Sequence, residues 1–362
     1  MSTLGESRVS ADCDMALDVI RTYREQLLRS VMETPEDKAR ALYQYESSNI
    51  SVNIAAGPNC PVRCEGCYNF FGDTRLFNNL ITVDDITGFM QEAQPLGIAQ
   101  VTLYGGDPLH HPQIIPIARG IKELGMRVKL DTVGTALLGE QVRVVYKGKG
   151  EVPYVNVEDI APYVDHINIP LDGSDQTILN HFRKGRSHLF EETIAVAALL
   201  RRTGIPFGIN TVANAANLTD LPKIKRIAQE VGACEWQVFE YDYEGPNSST
   251  KRDVLRLEPG RFAAAAYDLQ KDPGDIEIAC KPFDGRAGSY FMIDDAGIAY
   301  RRRTGGGRDV IGHVTHERAL VLEALGEHIV AKRSRARSKA IGTIRDAYGL
   351  GGYASLCSTA SV

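Results

Sequence analysis

Three cysteines lie close together in the stretch "NCPVRCEGCYN", where Cys60, Cys64 and Cys67 have the spacing C-x3-C-x2-C. A structural zinc ion takes four protein ligands, so a zinc site here would need a fourth ligand from a distant residue. The candidates are His110, His111 and Cys280. Three thiolates also suit a [4Fe–4S] cluster in which one iron has no protein ligand and is free to bind a reactant. The cysteines alone leave both interpretations open.

The composition of the chain limits the classes of protein in which these cysteines could occur. The chain has 362 residues, a formal net charge of -5 and seven cysteines. The charge argues against nucleic-acid partners, and no apolar run is long enough to cross a membrane. The N-terminus lacks the basic and then apolar order of a signal peptide, so we expect a cytoplasmic location. Clustered thiols in that compartment favour metal or redox chemistry over disulfides.

A repeated alternation of strands and helices supplies the elements that would position the cysteine loop. Six strand candidates occur, and most are followed by an amphipathic helix. They are "SVNIAAG", "QVTLYGG", "RVKLDTVGT", "HINIPLDG", "PFGINTVAN" and "EWQVFEYDYEG". Parallel strands need such crossovers, and six units fall short of a closed eight-unit barrel. We therefore predict an α/β fold, a partial (β/α)6 TIM-like barrel with functional residues at the carboxyl ends of the strands.

The domain boundaries follow from changes in this pattern. We predict an N-terminal helical extension over residues 1–48, the barrel over 49–270, and a small C-terminal appendage with a loose tail over 271–362. The appendage should contain a β-hairpin with its turn near Asp295 to Gly297 and a helix near Glu317 to Lys332. Residues 137–157 interrupt the alternation, and they either shape a substrate pocket or form a surface insertion.

The order of several motifs resembles the radical S-adenosylmethionine (SAM) enzymes. Their signature C-x3-C-x2-C is present, with Tyr68 after the third cysteine. Four later segments are similar to motifs that this family carries at successive strand ends. They are "GGDPLHHP" at 105–112, "TVGT" at 132–135, "PLDGSDQTILNHFRKG" at 170–185 and "NTVAN" at 210–214. The resemblance covers about residues 50 to 250.

The resemblance implies one [4Fe–4S] cluster on Cys60, Cys64 and Cys67, with SAM chelated to the fourth iron. It also implies a set of SAM-binding residues, for each of which plain support of the fold is the alternative. They are Tyr68, Gly105, Gly106, Asp107, Asp172, Ser174, Arg183 and Asn210. Asp107 stands where the family usually has the longer Glu, and Lys184 is a rival of Arg183. We interpret His110 and His111 as part of a scaffold loop, and Asp131 and Asp165 as structural.

The C-terminal appendage resembles a SPASM or twitch-like extension that has lost its cluster ligands. Cys280 stands where the first ligand is expected, but "YRRR" follows the hairpin without a cysteine. We therefore expect a single cluster. Four arginines near the hairpin would bind an anionic group or form a solvated basic end. They are Arg301, Arg302, Arg303 and Arg308.

The predicted function is that of a radical SAM enzyme, in which a 5′-deoxyadenosyl radical removes a hydrogen atom from a small molecule such as a sugar or nucleoside. A reducing partner such as flavodoxin or ferredoxin is implied. The alternative is a peptide-modifying enzyme, which would usually need auxiliary clusters or a leader-binding winged-helix domain, and residues 1–50 look too short and too helical for that domain. A zinc-binding scaffold protein without activity is the remote alternative.

Overall fold

A computed structural model gives the fold and describes residues 34, 50–57, 59–67, 81–139, 154–243, 251–272, 274–286, 288–303 and 307–347. The predicted N-terminal helical extension, Tyr68, most of the 137–157 insertion and the predicted tail lie outside the described residues. The chain divides into two compact units, Ser51–Leu322 and Met1–Ile50 together with Glu323–Val362. The domain boundaries expected at residues 48 and 270 stay predictions.

Twelve strands occur in the described residues. They are β1 Ser51–Gly57, β2 Arg63–Cys64, β3 Gln100–Gly105, β4 Arg127–Asp131, β5 His166–Pro170, β6 Arg183–Lys184, β7 Phe207–Ala213, β8 Glu235–Glu240, β9 Glu277–Lys281, β10 Phe291–Ile293, β11 Ile298–Arg302 and β12 Arg308–His313.

Nine α-helices occur in the same described ranges. They are α1 Val83–Ala93, α2 Ile114–Glu123, α3 Val157–Ile160, α4 Gln176–Leu179, α5 Leu189–Thr203, α6 Leu221–Glu230, α7 Arg252–Leu255, α8 Arg261–Lys271 and α9 Arg318–Ala347. Short 3-10 turns are Gln94–Leu96, Pro108–His110, Thr135–Leu137, Ala161–Tyr163, Leu218–Asp220 and Asp284–Arg286.

One sheet holds ten of these strands, in the order β12-β11-β10-β1-β3-β4-β5-β7-β8-β9. Neighbours from β10 through to β9 are parallel, whereas β10, β11 and β12 pair in antiparallel fashion. The six predicted strands are β1, β3, β4, β5, β7 and β8, side by side in chain order. The predicted α/β class with a mostly parallel sheet is therefore confirmed.

The two faces of the sheet differ in polarity, because successive side chains of a strand point to opposite faces. One face is fully buried and aliphatic, and α5, for example, contacts β5 and β7. Its residues include Val52, Ile54, Val101, Leu103, Val128, Leu130, Ile167 and Ile169. The alternate positions form the opposite face and are largely polar. They include Asn53, Thr102, Lys129, Asp131, His166, Asn168, Asn210 and Glu235.

Local sequence explains where the helices begin and end. Thr82 caps α1, and its hydroxyl accepts the N–H of Asp85 while the Asp85 carboxylate accepts the N–H of Thr82. Helix α5 ends at Gly204, whose φ of 72° places it in the left-handed region that glycine tolerates best. These local signals fix where α1 begins and where α5 ends.

The region after residue 270 continues the main sheet. Strand β9 follows α8 and pairs in parallel with β8, and β10 pairs in parallel with β1. The predicted hairpin is present, with its turn between β10 and β11. Helix α9 runs to Ala347 and is longer than predicted. Strands β9 and β10 extend the row of six predicted strands by parallel pairing, one on each side. The six-unit barrel and the separate appendage therefore remain proposals.

Most of the described part of the second unit is the helical segment that begins at Glu323. Its buried side chains recur at helical spacing and are those of Leu325, His328, Ile329, Ala336 and Ala340. Within the described ranges, no helix combines the length and apolar character that a membrane span requires. The cytoplasmic location stays a prediction.

Candidate active site at the cysteine loop

The cysteine loop follows the carboxyl end of β1 and is attached to two other parts of the chain. The main-chain N–H of Asp107 donates to the carbonyl of Asn59, directly before the first cysteine. Strand β2 within the loop pairs with β6, and the N–H of Glu65 donates to the carbonyl of Phe182 at 2.7 Å. Segments distant in sequence therefore fix the position of the loop.

Gly66 lets the loop pack directly against an aromatic ring. Its φ is 88°, and a Cβ at this position would lie 2.5 Å from ring atoms of Tyr241. Tyr241 follows β8 and is fully buried, and Phe182 packs edge-on against it with ring centroids 6.2 Å apart. A side chain larger than that of glycine would displace either the loop or this ring.

None of the three cysteines forms a disulfide, and the thiol of Cys60 is buried. Burial raises the pKa of Cys60 well above its ordinary value, and the nearby Cys64, Asp107 and Cys67 add to the shift. Burial also raises the pKa of Cys64, whereas the Arg183 guanidinium opposes that shift. Iron or zinc ligation requires thiolates, so binding would release protons from this loop. Within the described residues, no three His, Cys, Asp or Glu side chains form a group that could hold a metal ion.

Arg183 connects the loop to the carboxyl end of β5. Its Nη1 donates to the sulfur of Cys64 at 3.2 Å, and its Nε donates to the carboxylate of Asp172. Asp172 is fully buried and also accepts the N–H of Val212 at 2.6 Å. Burial works against the charge of Arg183, but the Asp172 carboxylate and the cysteine sulfurs raise its pKa. The cation therefore stays charged beside the cysteine sulfur.

Asp107 is also buried, and scaffold groups surround its carboxylate. It accepts the hydroxyl of Thr132, the N–H of Val133 at 3.0 Å and the N–H of Leu109 at 3.1 Å. Three donors stabilise the ionised carboxylate and hold β3 against the segment after β4. Asp107 thus links the end of β3 to the end of β4 by hydrogen bonds. Its direct contact with SAM remains a prediction.

The other predicted SAM-binding residues occupy different surroundings. Gly105 ends β3 with a φ of 138°, and Gly106 follows it. The N–H and hydroxyl of Ser174 both donate to the carboxylate of Asp220, at 2.7 and 2.8 Å. Asn210 lies on the polar face, where its buried Oδ1 has no hydrogen-bond partner. Asn210 thus keeps an acceptor for a ligand, whereas Ser174 is occupied by the scaffold.

The two consecutive histidines lie in the 3-10 turn after β3 and directly beyond it. Both are buried, and burial lowers the pKa of each. The Nδ1 of His111 accepts the N–H of Gln113 at 3.1 Å. His111 therefore has a local structural partner, as expected of a scaffold loop.

Comparison with known proteins agrees with this geometry. The profile of the Radical SAM superfamily matches residues 54–215, which contain the cysteine loop and the strand ends around it. Residues 54–215 belong to the radical SAM superfamily. Its members use a [4Fe–4S] cluster and SAM, and the relatives described next are enzymes.

Two curated relatives and one solved structure illustrate the similarity. The AdoMet-dependent heme synthase of Methanosarcina barkeri is 29% identical over 214 residues, which are 59% of this chain and 55% of the relative. The PqqA peptide cyclase of Ruegeria pomeroyi is 28% identical over 251 residues, 65% of this chain and 63% of the relative. SuiB of Streptococcus suis bound to precursor peptide SuiA has a TM-score of 0.55 at 14% identity, covering 72% of this chain and 62% of SuiB. This chain therefore spans less than two thirds of the length of these proteins.

The structure adds a polar network on the parallel sheet that the motifs did not indicate. On the polar face, Lys129 Nζ pairs with Glu235 at 2.9 Å, and His166 Nε2 lies 2.9 Å from Asn168 Oδ1. Asn168 Nδ2 in turn donates to Asp131 at 2.8 Å. The alternation of His166 and Asn168 with Ile167 and Ile169 in "HINIP" was the available signal. These side chains place charge and hydrogen-bonding capacity on the sheet face that α5 does not cover.

The C-terminal arginines have carboxylate partners in the structure. Arg302 pairs with Asp242, Arg303 with Asp309 at 3.2 Å, and Arg308 with Asp294 at 2.6 Å. Arg301 also has an interaction partner. The predicted anion-binding role of this group therefore has little support from its surroundings.

Proposed function

We propose that this chain is a radical SAM enzyme that binds a single [4Fe–4S] cluster through Cys60, Cys64 and Cys67. The observation that carries this proposal is the attachment of the cysteine loop to two other strand ends of a radical SAM domain. The loop carries the three cysteines that such a cluster takes as ligands, with a guanidinium against the middle one. In the described structure their sulfurs are not grouped as metal ligands, so cluster binding would have to bring them together.

Held by Cys60, Cys64 and Cys67, a [4Fe–4S] cluster together with SAM would supply radical chemistry, namely removal of a hydrogen atom from the substrate. The protein positions these groups. Arg183 favours the thiolate form of Cys64, and Asp107 holds the strand end that carries Gly105 and Gly106. Those glycines leave main-chain groups accessible to the SAM methionine moiety. The free acceptor of Asn210 suits a ribose hydroxyl.

For the substrate we favour a peptide over the small molecule predicted from sequence. Support comes from the PqqA peptide cyclase relative, which matches a larger share of this chain than the heme synthase does. The polar face provides amide, carboxylate and ammonium groups that can bind a peptide main chain. A small-molecule substrate is the second candidate because the heme synthase relative is similar at 29% identity. An electron donor such as flavodoxin or ferredoxin is part of the proposal.

Cofactor content tests the first part of the proposal. After anaerobic reconstitution, we expect about four iron and four sulfide per chain in the wild type. C64A should lose both the cluster and the reductive cleavage of SAM. C234A is the matched control, because Cys234 is another cysteine outside any disulfide, and its sulfur donates to the carbonyl of Phe207 at 3.1 Å. Zinc in place of iron, or no cleavage of SAM by the reduced protein, would contradict the assignment.

Substrate class is tested by 5′-deoxyadenosine formation. Reduced enzyme and SAM are incubated separately with peptide pools and with small-molecule pools that include porphyrins. We expect peptides to stimulate 5′-deoxyadenosine formation, with deuterium transferred from a labelled peptide carbon. Stimulation by small molecules alone would refute the peptide assignment and favour the second candidate.

A further inference from the structure

Arg286 is a partly buried arginine whose side chain lacks a complete set of partners. It lies in the 3-10 turn Asp284–Arg286 that follows β9. Its Nη2 donates to the main-chain carbonyl of Glu240 at 2.6 Å, at the carboxyl end of β8. Its Nε is buried and has no hydrogen-bond partner in the structure. Buried guanidinium donors are normally satisfied, so this one requires an explanation.

The neighbouring carboxylates do not neutralise Arg286. Asp242 pairs with Arg302, and the carboxylate of Glu240 accepts the N–H of Phe283 at 2.8 Å. Among the described residues, no carboxylate lies within ion-pair distance of Arg286, although each of three other arginines in this region has one. Burial lowers the pKa of Arg286, and the positive charge of Arg302 adds to this effect. Arg286 and Arg302 thus lie close enough to influence each other, and Asp242, which also acts on Arg286, is ion-paired with Arg302.

The position of Arg286 connects it to the polar face of the sheet. Tyr290 lies close enough to interact electrostatically with both Arg286 and Asp131, the last residue of β4. Tyr290 also packs against a buried cluster whose members Ala55 and Tyr104 lie near the carboxyl ends of β1 and β3. Strand β1 leads directly into the cysteine loop. Arg286 therefore lies at the same edge of the parallel sheet as the proposed cluster site.

We propose that Arg286 binds a carboxylate group of the substrate, through Nε–H and the remaining N–H of Nη2. In a guanidinium group, Nε–H and one N–H of Nη2 lie on the same side and match the two oxygens of a carboxylate. The proposal rests on the proposed function, because it places a substrate at this edge. A peptide and a small organic acid share the required chemistry, and the probes described below separate them.

Stability without ligand gives the first test. A purely structural arginine should stabilise the fold, whereas a ligand-binding arginine with an unmet donor should contribute little in the absence of its ligand. We expect R286Q to melt at the same temperature as the wild type or higher. R302Q, which leaves the buried Asp242 without its partner, should melt several degrees lower. A loss in R286Q as large as that in R302Q would overturn the proposal.

Carboxylate binding gives the second test, measured by thermal shift on the full-length protein. The probes are N-acetyl-glutamate methylamide, its glutamine counterpart and glutarate, against sodium chloride at equal ionic strength. The wild type should gain about 2 °C with a carboxylate probe near tenfold above its dissociation constant, and none with the glutamine probe. R286Q should lose this gain, whereas R261Q, at an exposed arginine, should retain it.

The outcomes separate the sources of the carboxylate and the two proposals. A larger shift with the glutamate derivative than with glutarate indicates a peptide, and the reverse indicates a small acid; both support the carboxylate site. Equal shifts in R286Q and wild type, or no shift with either carboxylate, would refute it. Because these measurements do not require SAM cleavage, they remain interpretable if the radical SAM activity itself is not found.

Discussion

Replacing Arg183 with Gln tests the link between the cysteine loop and the sheet. In the wild type this guanidinium contacts both the Cys64 sulfur and the fully buried Asp172. The substitution leaves the Asp172 carboxylate with one main-chain donor, the N–H of Val212, but without a cation. It also removes the group that lowers the pKa of Cys64 against the effect of burial. We therefore expect R183Q to lose both stability and cluster retention.

The magnitude follows from the burial of the pair. Removing one partner of a buried ion pair costs about 3–5 kcal/mol. The hydrogen bond from Val212 to Asp172 remains, so we take the lower end, about 3 kcal/mol. With a urea m-value of about 3 kcal/mol/M, the unfolding midpoint should fall by about 1 M. The double variant D172N/R183Q should recover part of this loss, because it removes both charges.

Urea unfolding of the cluster-free protein, followed by tryptophan fluorescence, measures the stability change, and iron content after reconstitution measures cluster retention. K184Q is the control, because the neighbouring Lys184 is about half exposed and pairs with Glu65 at 2.8 Å. It should change stability by less than about 1 kcal/mol. If R183Q is no less stable than K184Q, or if it retains a full cluster, the structural role assigned to Arg183 is wrong.

Two further predictions concern the loop and the polar face. G66A should reduce iron content and stability more than G125A does, because both glycines have a positive φ but only a Cβ at position 66 meets an aromatic ring. Equal effects on urea midpoints and iron content would exclude the clash as the cause. Burial and the charge of a neighbouring lysine lower the pKa of His166 from 6.5 to about 4, so the unfolded chain binds a proton that the folded protein does not. The free energy of unfolding should therefore fall by up to roughly 3 kcal/mol between pH 6.5 and pH 4. The free energy of unfolding is measured by urea titration at each pH. H166Q should make it depend less on pH, whereas H188Q, at an exposed histidine, should leave the dependence unchanged. An unchanged pH dependence in H166Q would refute the assignment.

The order of the parallel strands could be predicted because its signals are local. Each of the six strands has apolar residues at alternate or successive positions and ends in a turn or cap within a few residues. Strand β9 was missed because "EIACK" is short and carries charge at both ends. Its pairing with β8 depends on the preceding α8, and a further strand after that helix was the available signal.

The arrangement within the site could not be predicted, because it depends on contacts between distant residues. Cys64 and Arg183 are 119 residues apart, and their contact follows from the pairing of β2 with β6. Each of these strands has two residues, too few for a periodic signal. The motifs named residues at the strand ends that surround the cysteine loop, and their roles in ligand binding stay predictions. They did not show that Asp107 and Asp172 accept hydrogen bonds from the protein itself.

This difference bears on which residues hold ligands. Buried polar groups in folded proteins are normally satisfied, so a group with all its partners supports the fold and a group without them is available to a ligand. Asp107 and Asp172 accept three and two hydrogen bonds, respectively, through their carboxylates. Asn210 Oδ1 and Arg286 Nε have none. We therefore expect D107N and D172N to act mainly on stability and cluster retention, whereas substitutions at Asn210 and Arg286 should act on ligand affinity in a protein that still folds. The two groups should also bind different parts of a ligand. The amide oxygen of Asn210 accepts hydrogen bonds from hydroxyl groups, whereas the guanidinium of Arg286 donates to anions.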